Sequence, residues 1–319
     1  MHRMLAACLA AAMAVATGAL AQTYPSKAVR LVVPYPAGGT TDIVTRAMAP
    51  VLGESLGQAV LVENKSGAGG TIGTAEAARA APDGHTLLVV FDNHAVNHYL
   101  YKSLPYDPLK AFEPVSLMVQ SPLLLVGAPN FAPANVRELV DYGLANRGKL
   151  NFGSTGTGNS SHLASLALMQ RESIEAVHIP YKGGGPLVND LLGGQVNFAF
   201  ASLPLFVQHV RGGKLKGLGV AGRNRVAQLP QVPTVAETLP GFEAQSWVGI
   251  LAPAGTPPPV VARAAAEVSK ALQRADLKER LLAQGFIVVG STPSEFGAHL
   301  RAESEKWGKL IRELNVTLE

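Results

Sequence analysis

Tyr35-Pro36-Ala37-Gly38-Gly39-Thr40-Thr41-Asp42 follows the apolar run Val29-Arg30-Leu31-Val32-Val33-Pro34 and precedes the helix-patterned stretch from Ile43 to Leu56. A buried strand therefore enters a glycine turn and then a helix N-terminus. Adjacent glycines let backbone approach a ligand closely, and the first helical turn leaves N–H groups without partners. Together these features make a site for an anion. A near-copy, Ser66-Gly67-Ala68-Gly69-Gly70-Thr71, follows the strand-like Ala59-Val60-Leu61-Val62. A third loop of similar chemistry is Ser154-Thr155-Gly156-Thr157-Gly158-Asn159-Ser160-Ser161, after Leu150-Asn151-Phe152-Gly153. Neutral donors repeated after three strands suit holding an anion better than transforming it.

Strand-like and helix-like segments alternate outward from these loops, which predicts α/β layers with largely parallel sheets. The pattern places helices at 71–81, 135–146 and 162–170, and strands at 86–91, 176–181, 196–201 and 215–220. Residues 100–114 read as proline-interrupted loop, and Val115 to Val126 as a long apolar run containing Pro122. Pro186, after Gly183-Gly184-Gly185, suits the first helical position and predicts a helix to Leu192. Trp247 to Pro253 is the last strong strand. Helices 260–274, 277–284 and 293–314 follow, around a short strand at 286–289. Two strand–helix blocks, about 24–120 and 125–245, are thus followed by a helical tail that returns to cap the first. The cleft between two such blocks is a preferred place for a small molecule.

The N-terminus has the form of a secretory signal peptide over residues 1–21. Arg3 is basic, Leu5 to Gly18 is apolar, and Ala19-Leu20-Ala21 fits the cleavage rule, so the mature chain should begin at Gln22. Cys8 lies too close to the start for a lipoprotein signal, and its removal leaves no cysteine for a disulfide. No later stretch has the roughly 20 apolar residues of a membrane span. The balance of 27 basic against 23 acidic residues is mild, and Lys and Arg form no stripe, which argues against nucleic acid.

The opening loop supports two readings. It is either a carboxylate cradle of backbone N–H groups from Gly38, Gly39, Thr40 and Thr41, or a tight turn capped by a threonine. Repetition after other strands favours the cradle. Asp42 either fastens the loop by hydrogen bonds or meets a ligand ammonium. No Gly-x-x-x-x-Gly-Lys-Ser/Thr occurs, and Gly67-Ala68-Gly69-Gly70-Thr71-Ile72-Gly73 departs from the dinucleotide spacing by one residue. Ser160 and Ser161 beside His162 lack the Gly-x-Ser-x-Gly elbow of a serine hydrolase. His94 and His98 have no third metal ligand nearby in sequence. His162 either lines the cleft or supports its loop. Asn93 and His94 end a buried strand, where ligands of open α/β sheets lie. Tyr181 offers a hydroxyl or a ring face, Lys182 is either a carboxylate partner or a surface charge, and Ser202 ends another strand. Trp247 reads as interlayer packing rather than a stacking platform.

The combination of Tyr24-Pro25-Ser26-Lys27, Pro36-Ala37-Gly38-Gly39-Thr40-Thr41-Asp42, Glu63-Asn64-Lys65-Ser66-Gly67-Ala68-Gly69-Gly70, Pro82-Asp83-Gly84-His85-Thr86-Leu87, Tyr181-Lys182-Gly183-Gly184 and Trp247 through Pro257 resembles the solute receptors of tripartite tricarboxylate transporters, the Bug proteins. The resemblance covers essentially the whole mature chain. It implies a two-lobed type II periplasmic-binding-protein fold, with two doubly wound α/β sheets, a hinge and a ligand cleft between them. Lobe one would be residues 22–122 with 248–319 returning to it, and lobe two residues 123–247. It further implies a periplasmic monomer that is no enzyme, needs no cofactor or metal, and binds a small organic carboxylate for delivery to membrane permease subunits. By motif, the ligand carboxylate falls to Ala37, Gly38, Gly39, Thr40 and Asp42, with Gly69 and Gly70. Ser154, Thr155, Ser160 and Tyr181 select the rest of the ligand. Tyr35, Asn93, His94, His162 and Ser202 complete the candidate set. Tyr35 and Ala37 stand where related receptors vary and carry little about ligand identity. A sensing receptor for a signalling partner and an exported hydrolase are the alternatives.

Overall fold

A computed structural model describes residues 24–318, so the signal-peptide reading lies outside the described residues. In chain order the elements are β1 (Val29–Val33), α1 (Thr40–Leu56), β2 (Val60–Asn64), α2 (Thr71–Ala78), β3 (Thr86–Phe91), β4 (Phe112–Gly127), α3 (Val136–Ala145) and β5 (Leu150–Ser154). Then follow α4 (Ser160–Glu172), β6 (Ala176–Pro180), α5 (Gly184–Leu192), β7 (Phe198–Ser202), α6 (Leu203–Arg211) and β8 (Lys216–Val220). The chain closes with β9 (Gln245–Pro253), α7 (Pro258–Gln273), α8 (Ala275–Ala283), β10 (Ile287–Val288) and α9 (Pro293–Glu313).

Parallel strands carry the glycine loops, as the alternating pattern predicts: β1 pairs in parallel with β2 and β3, and β5 with β6 and β7. The middle of the sheet departs from that expectation. β9 is antiparallel to both β3 and β4, and β4 is antiparallel to β7, β8 and β10. The order β2-β1-β3-β9-β4-β7-β5-β6 is therefore a mixed sheet. The apolar run at 115–126 is the interior of β4, a single 16-residue strand. Its residues from Phe112 to Pro122 pair with β9, whereas Leu123 to Gly127 pair with β7. One strand thus changes partners along its length, which periodicity within a single segment cannot reveal.

Each half of the sheet has its own apolar packing. Val29, Leu31, Val33, Val44, Met48 and Leu272 belong to one buried cluster, and Phe152, Leu163, Leu168, Phe198 and Phe200 to another. Val96, Leu100, Trp307 and Ile311 join the second cluster although they come from the segment after β3 and from α9. The two halves are therefore joined by packed side chains as well as by strands. α9 starts with a full capping box, in which Thr292 Oγ1 accepts from the Glu295 N–H and the Glu295 carboxylate accepts from the Thr292 N–H.

Three local expectations are corrected. Pro186 is the third residue of α5, not the first, because the turn at Gly183 (φ 101°) starts the helix at Gly184. Any first-turn position tolerates proline, since those N–H groups have no intrahelical acceptor. α6 was not expected between β7 and β8; Pro204 in its first turn starts it and Phe206 and Val207 bury its inner face. The loop expected at 100–114 yields to β4 from Phe112, whose early residues pair with β9.

Candidate functional site

The opening loop is an uncapped helix N-terminus. Gly39, not Thr40 or Thr41, is the N-cap of α1, and no side chain caps that helix. Gly38 takes φ 79°, a conformation suited to glycine. Its N–H donates to Oδ2 of Asp42 at 2.9 Å, so Gly38 braces the loop and Asp42 is the brace. Oδ1 of Asp42 accepts from Nε of Arg46 at 2.8 Å and from Nδ2 of Asn64 at 3.0 Å, and Asn64 also donates to the Tyr35 carbonyl. Burial pushes the Asp42 carboxyl upward, but the bonds from Gly38, Asn64 and Arg46 together hold it below the usual carboxylate range. With Asp42 so engaged, no group among the described residues accepts from the backbone N–H of Ala37, Thr40 or Thr41. These are the donors left for a ligand anion.

The second loop is tied to the first. Gly69 and Gly70 have φ 61° and 96°, and a Cβ on either would meet an aromatic side chain, the Tyr101 hydroxyl for Gly69 and the Tyr35 ring for Gly70. Nδ2 of Asn93 donates to the Gly69 carbonyl at 2.8 Å, and Tyr35 Oη donates to Oδ1 of Asn93 at 2.7 Å. Asn93 therefore links both loops, and burial raises the Tyr35 phenol pKa so that it stays a donor. His94 turns away: its Nε2 meets the Pro108 carbonyl at 2.9 Å in a buried setting that lowers its pKa to about 4. It supports the fold as a neutral ring.

In the third loop the hydroxyls of Ser154 and Thr155 are engaged by other groups of the chain. Ser154 Oγ lies 2.7 Å from Nε2 of His178 and donates to the Gly156 carbonyl; Thr155 Oγ1 accepts from Asn159. Oδ1 of Asn159 in turn caps α4 by accepting from the His162 N–H. Nδ1 of His162 accepts from the Gly158 N–H at 3.1 Å, and its ring stacks on that of His178 with centroids 3.9 Å apart. His162 thus supports its loop, the second of the two readings. Ser160 is engaged as well: its N–H and Oγ both donate to the buried carboxylate of Asp92, at 3.0 and 2.6 Å. Ser202 Oγ pairs with Ser246 Oγ at 2.6 Å between β7 and β9, and Tyr181 Oη donates to Asp190 at 2.6 Å.

A fourth mouth lies at Gly183-Gly184-Gly185. The Gly183 N–H donates to the Thr155 carbonyl at 3.1 Å, which fixes this turn to the third loop. A Cβ at Gly183 or Gly185 would meet no atom within 4 Å, as at Gly38. The backbone N–H groups of Gly184 and Gly185 have no acceptor among the described residues. Of the expected ligand groups, then, the side-chain hydroxyls of Tyr35, Ser154, Thr155, Ser160, Tyr181 and Ser202 hold the loops in shape, and backbone N–H groups remain for a ligand. A separate cavity of about 400 Å³ near Trp247, His299 and Glu303 shares no residue with these loops. Among the described residues no cluster of three or more His, Cys, Asp or Glu could hold a metal, and no helix is long and apolar enough to cross a membrane.

Residues 44–316 match the model of the tripartite tricarboxylate transporter family receptor. The chain belongs to that family. Periplasmic binding protein BugD is 36% identical and superposes with a TM-score of 0.85, over 92% of this chain and 100% of its own. MatC from Rhodopseudomonas palustris, solved with malate, is 35% identical with a TM-score of 0.84, over 90% of this chain and 100% of its own. The R. palustris protein Rpa4515, solved with adipate, is 30% identical with a TM-score of 0.87, over 92% and 100%. The mixed α/β fold is thus that of the two-lobed periplasmic solute-binding receptors of this family.

Asp92, Asn64 and Asn159 brace the candidate loops and were absent from the candidate set. Each is a polar residue at or just beyond a strand's C-terminal end or at a helix cap, a signal that was present but subordinate to the glycines.

The buried histidines give the receptor a pH signature. Burial lowers His94 and His178 to about 4, and burial with the neighbouring His178 lowers His162 to about 3. Between those values and the ordinary 6.5 the unfolded chain binds protons that the folded protein refuses, so these groups contribute stability above pH 6.5 that is lost as pH falls. Asp92 acts oppositely: burial, only partly offset by the Ser160 bonds, pushes it up to about 7, so the folded protein holds a proton there that the unfolded chain releases. Three histidines against one carboxyl leave a net loss toward acid, about 1.4 kcal/mol per pH unit for each net proton. Melting curves from pH 7 to 4 should fall, and His162→Asn, whose Oδ1 can take the place of Nδ1 as acceptor for Gly158, should flatten the slope. An unchanged slope in that variant contradicts the assignment.

Proposed function

We propose that this receptor captures a small organic carboxylate in the cleft between its halves and delivers it to a tripartite tricarboxylate-type membrane transporter. The observation that carries the reading is the set of unengaged N–H groups at Ala37, Thr40 and Thr41, held open by Asp42 at an uncapped helix start. An anion there satisfies orphan donors and the positive end of α1 at once. The malate and adipate held by two relatives support the same ligand class. The lobes divide at 122/123 and 247/248, a reading supported by the change of partner along β4 after Pro122. Closure about these strands is a population shift driven by tighter binding in the closed form.

Neutral donors fit a carrier that must release its cargo. A buried cation would grip the anion harder but would stand desolvated and unpaired in the empty receptor. The protein performs no catalysis on its ligand in this reading: Ser160 is bonded to Asp92, and His162 accepts from Gly158, so the two do not form a nucleophile–base pair. A thermal-shift screen of mono-, di- and tricarboxylates, amino acids and sugars tests the proposal. At least one carboxylate should raise the melting temperature by several degrees at a hundredfold excess over Kd, equivalent to about 2.7 kcal/mol. Stabilisation by sugars or cations, with no response to any carboxylate, rejects it.

A further inference from the structure

Asp92 follows β3 in one half of the sheet, and Ser160 begins α4 after β5 in the other. The Asp92 side chain is only 6% exposed, yet its two oxygens take the Ser160 N–H and hydroxyl. α4 has no acidic residue of its own in its first turn. The anion that a helix N-terminus favours is therefore supplied here from the opposite half of the molecule. Asp92 also lies in one continuous seam. Tyr35 of the opening loop donates to Asn93 beside it, while Asn159 beside Ser160 donates to Thr155, whose carbonyl accepts from Gly183. A Cβ at Gly38, Gly183 or Gly185 would meet no atom within 4 Å.

We propose that Asp92 is a specificity-determining residue: its carboxyl group occupies the third anion cradle in place of a ligand group, leaving the unengaged donors at the opening turn and at Gly184 and Gly185, and so selecting two-carboxylate over three-carboxylate ligands. The preference for ligand size rests on the receptor reading above; the occupation of α4 by a resident carboxylate does not. A ligand carboxylate approaching Ser160 meets a carboxyl group already bonded to the N–H and hydroxyl it needs. The neutral loops remain open to it at the opening turn and at Gly184 and Gly185. Without Asp92 the Ser160 N–H and hydroxyl at the α4 start lose their acceptor.

Two measurements on Asp92→Ala test this. Acetate at tens of millimolar should raise the melting temperature of the variant by several degrees while leaving the wild type unmoved, because the small anion refills the vacated cradle. Glutarate and tricarballylate, which differ by one carboxylate on the central carbon, should then be titrated into both proteins. The ratio of tricarballylate to glutarate affinity should rise about tenfold or more in the variant. Asp92→Ser carries the same comparison if the alanine protein does not fold. A variant indifferent to acetate, or an unchanged affinity ratio, overturns the proposal. If the wild type binds no carboxylate while acetate still stabilises the variant, the receptor reading falls and the occupied cradle stands.

Discussion

Gly39→Val should abolish carboxylate binding, by at least about a hundredfold or roughly 2.7 kcal/mol, and leave the melting temperature within a few degrees of wild type. Gly39 is in extended backbone with φ −78° and ψ 171°, which any residue adopts. An added Cβ would meet only the Pro36 carbonyl, at 3.4 Å, so the fold has room for the side chain. The mouth of the site does not. The branched methyls would stand over the N–H groups of Thr40 and Thr41, where a carboxylate has to come within about 3 Å. Gly38 would be a poorer test, because its φ of 79° strains any replacement and confuses lost binding with lost structure. Isothermal titration with whichever acid the thermal screen selects, beside a melting curve, separates the two effects. Wild-type affinity in Gly39→Val places the anion elsewhere.

Asp42→Ala should weaken binding by a similar factor through a different route. The carboxylate receives the Gly38 N–H, Nδ2 of Asn64 and Nε of Arg46, and Asn64 holds the Tyr35 carbonyl in turn. Its removal leaves the Gly38 and Asn64 donors unsatisfied next to a buried position, at a cost of about 2–3 kcal/mol in stability. The loop then has no fixed path from Tyr35 to Thr40, and a ligand must order it on binding. Gly39→Val should therefore lose affinity alone, whereas Asp42→Ala should lose affinity and melting temperature together. If Asp42→Ala melts earlier yet binds as tightly as wild type, the brace matters to the fold and not to the site. If instead it binds only an amine-free ligand better, Asp42 contacts the ligand directly.

The strands and helices that carry the glycine loops were legible because each reports itself locally. Val29 to Val33 is a continuous apolar run before a glycine pair, and Val44, Met48, Val51 and Leu52 mark the buried face of α1. Repetition of that arrangement pointed to anion cradles, and family resemblance pointed to a two-lobed receptor. What local pattern misjudged was availability. Ser154, Thr155, Ser160, Tyr181 and Ser202 have the right chemistry and lie at strand ends or, for Ser160, at a helix start, but each hydroxyl is bonded to another residue of the chain. A hydroxyl reads the same in sequence whether its partner is a ligand or Asp92.

Spacing along the chain thus determined which backbone turns exist: Gly38-Gly39, Gly69-Gly70, Gly156 to Gly158 and Gly183 to Gly185 are fixed by residue type, because φ and the missing Cβ are properties of the residue itself. Tertiary structure alone decided which of those turns are empty. Asp92 reaches Ser160 across 68 residues, and Asn93 reaches Gly69 across 24. Hydrogen bonds are satisfied by whatever is near in space, so the division between bracing donors and binding donors is written in contacts that no local window contains.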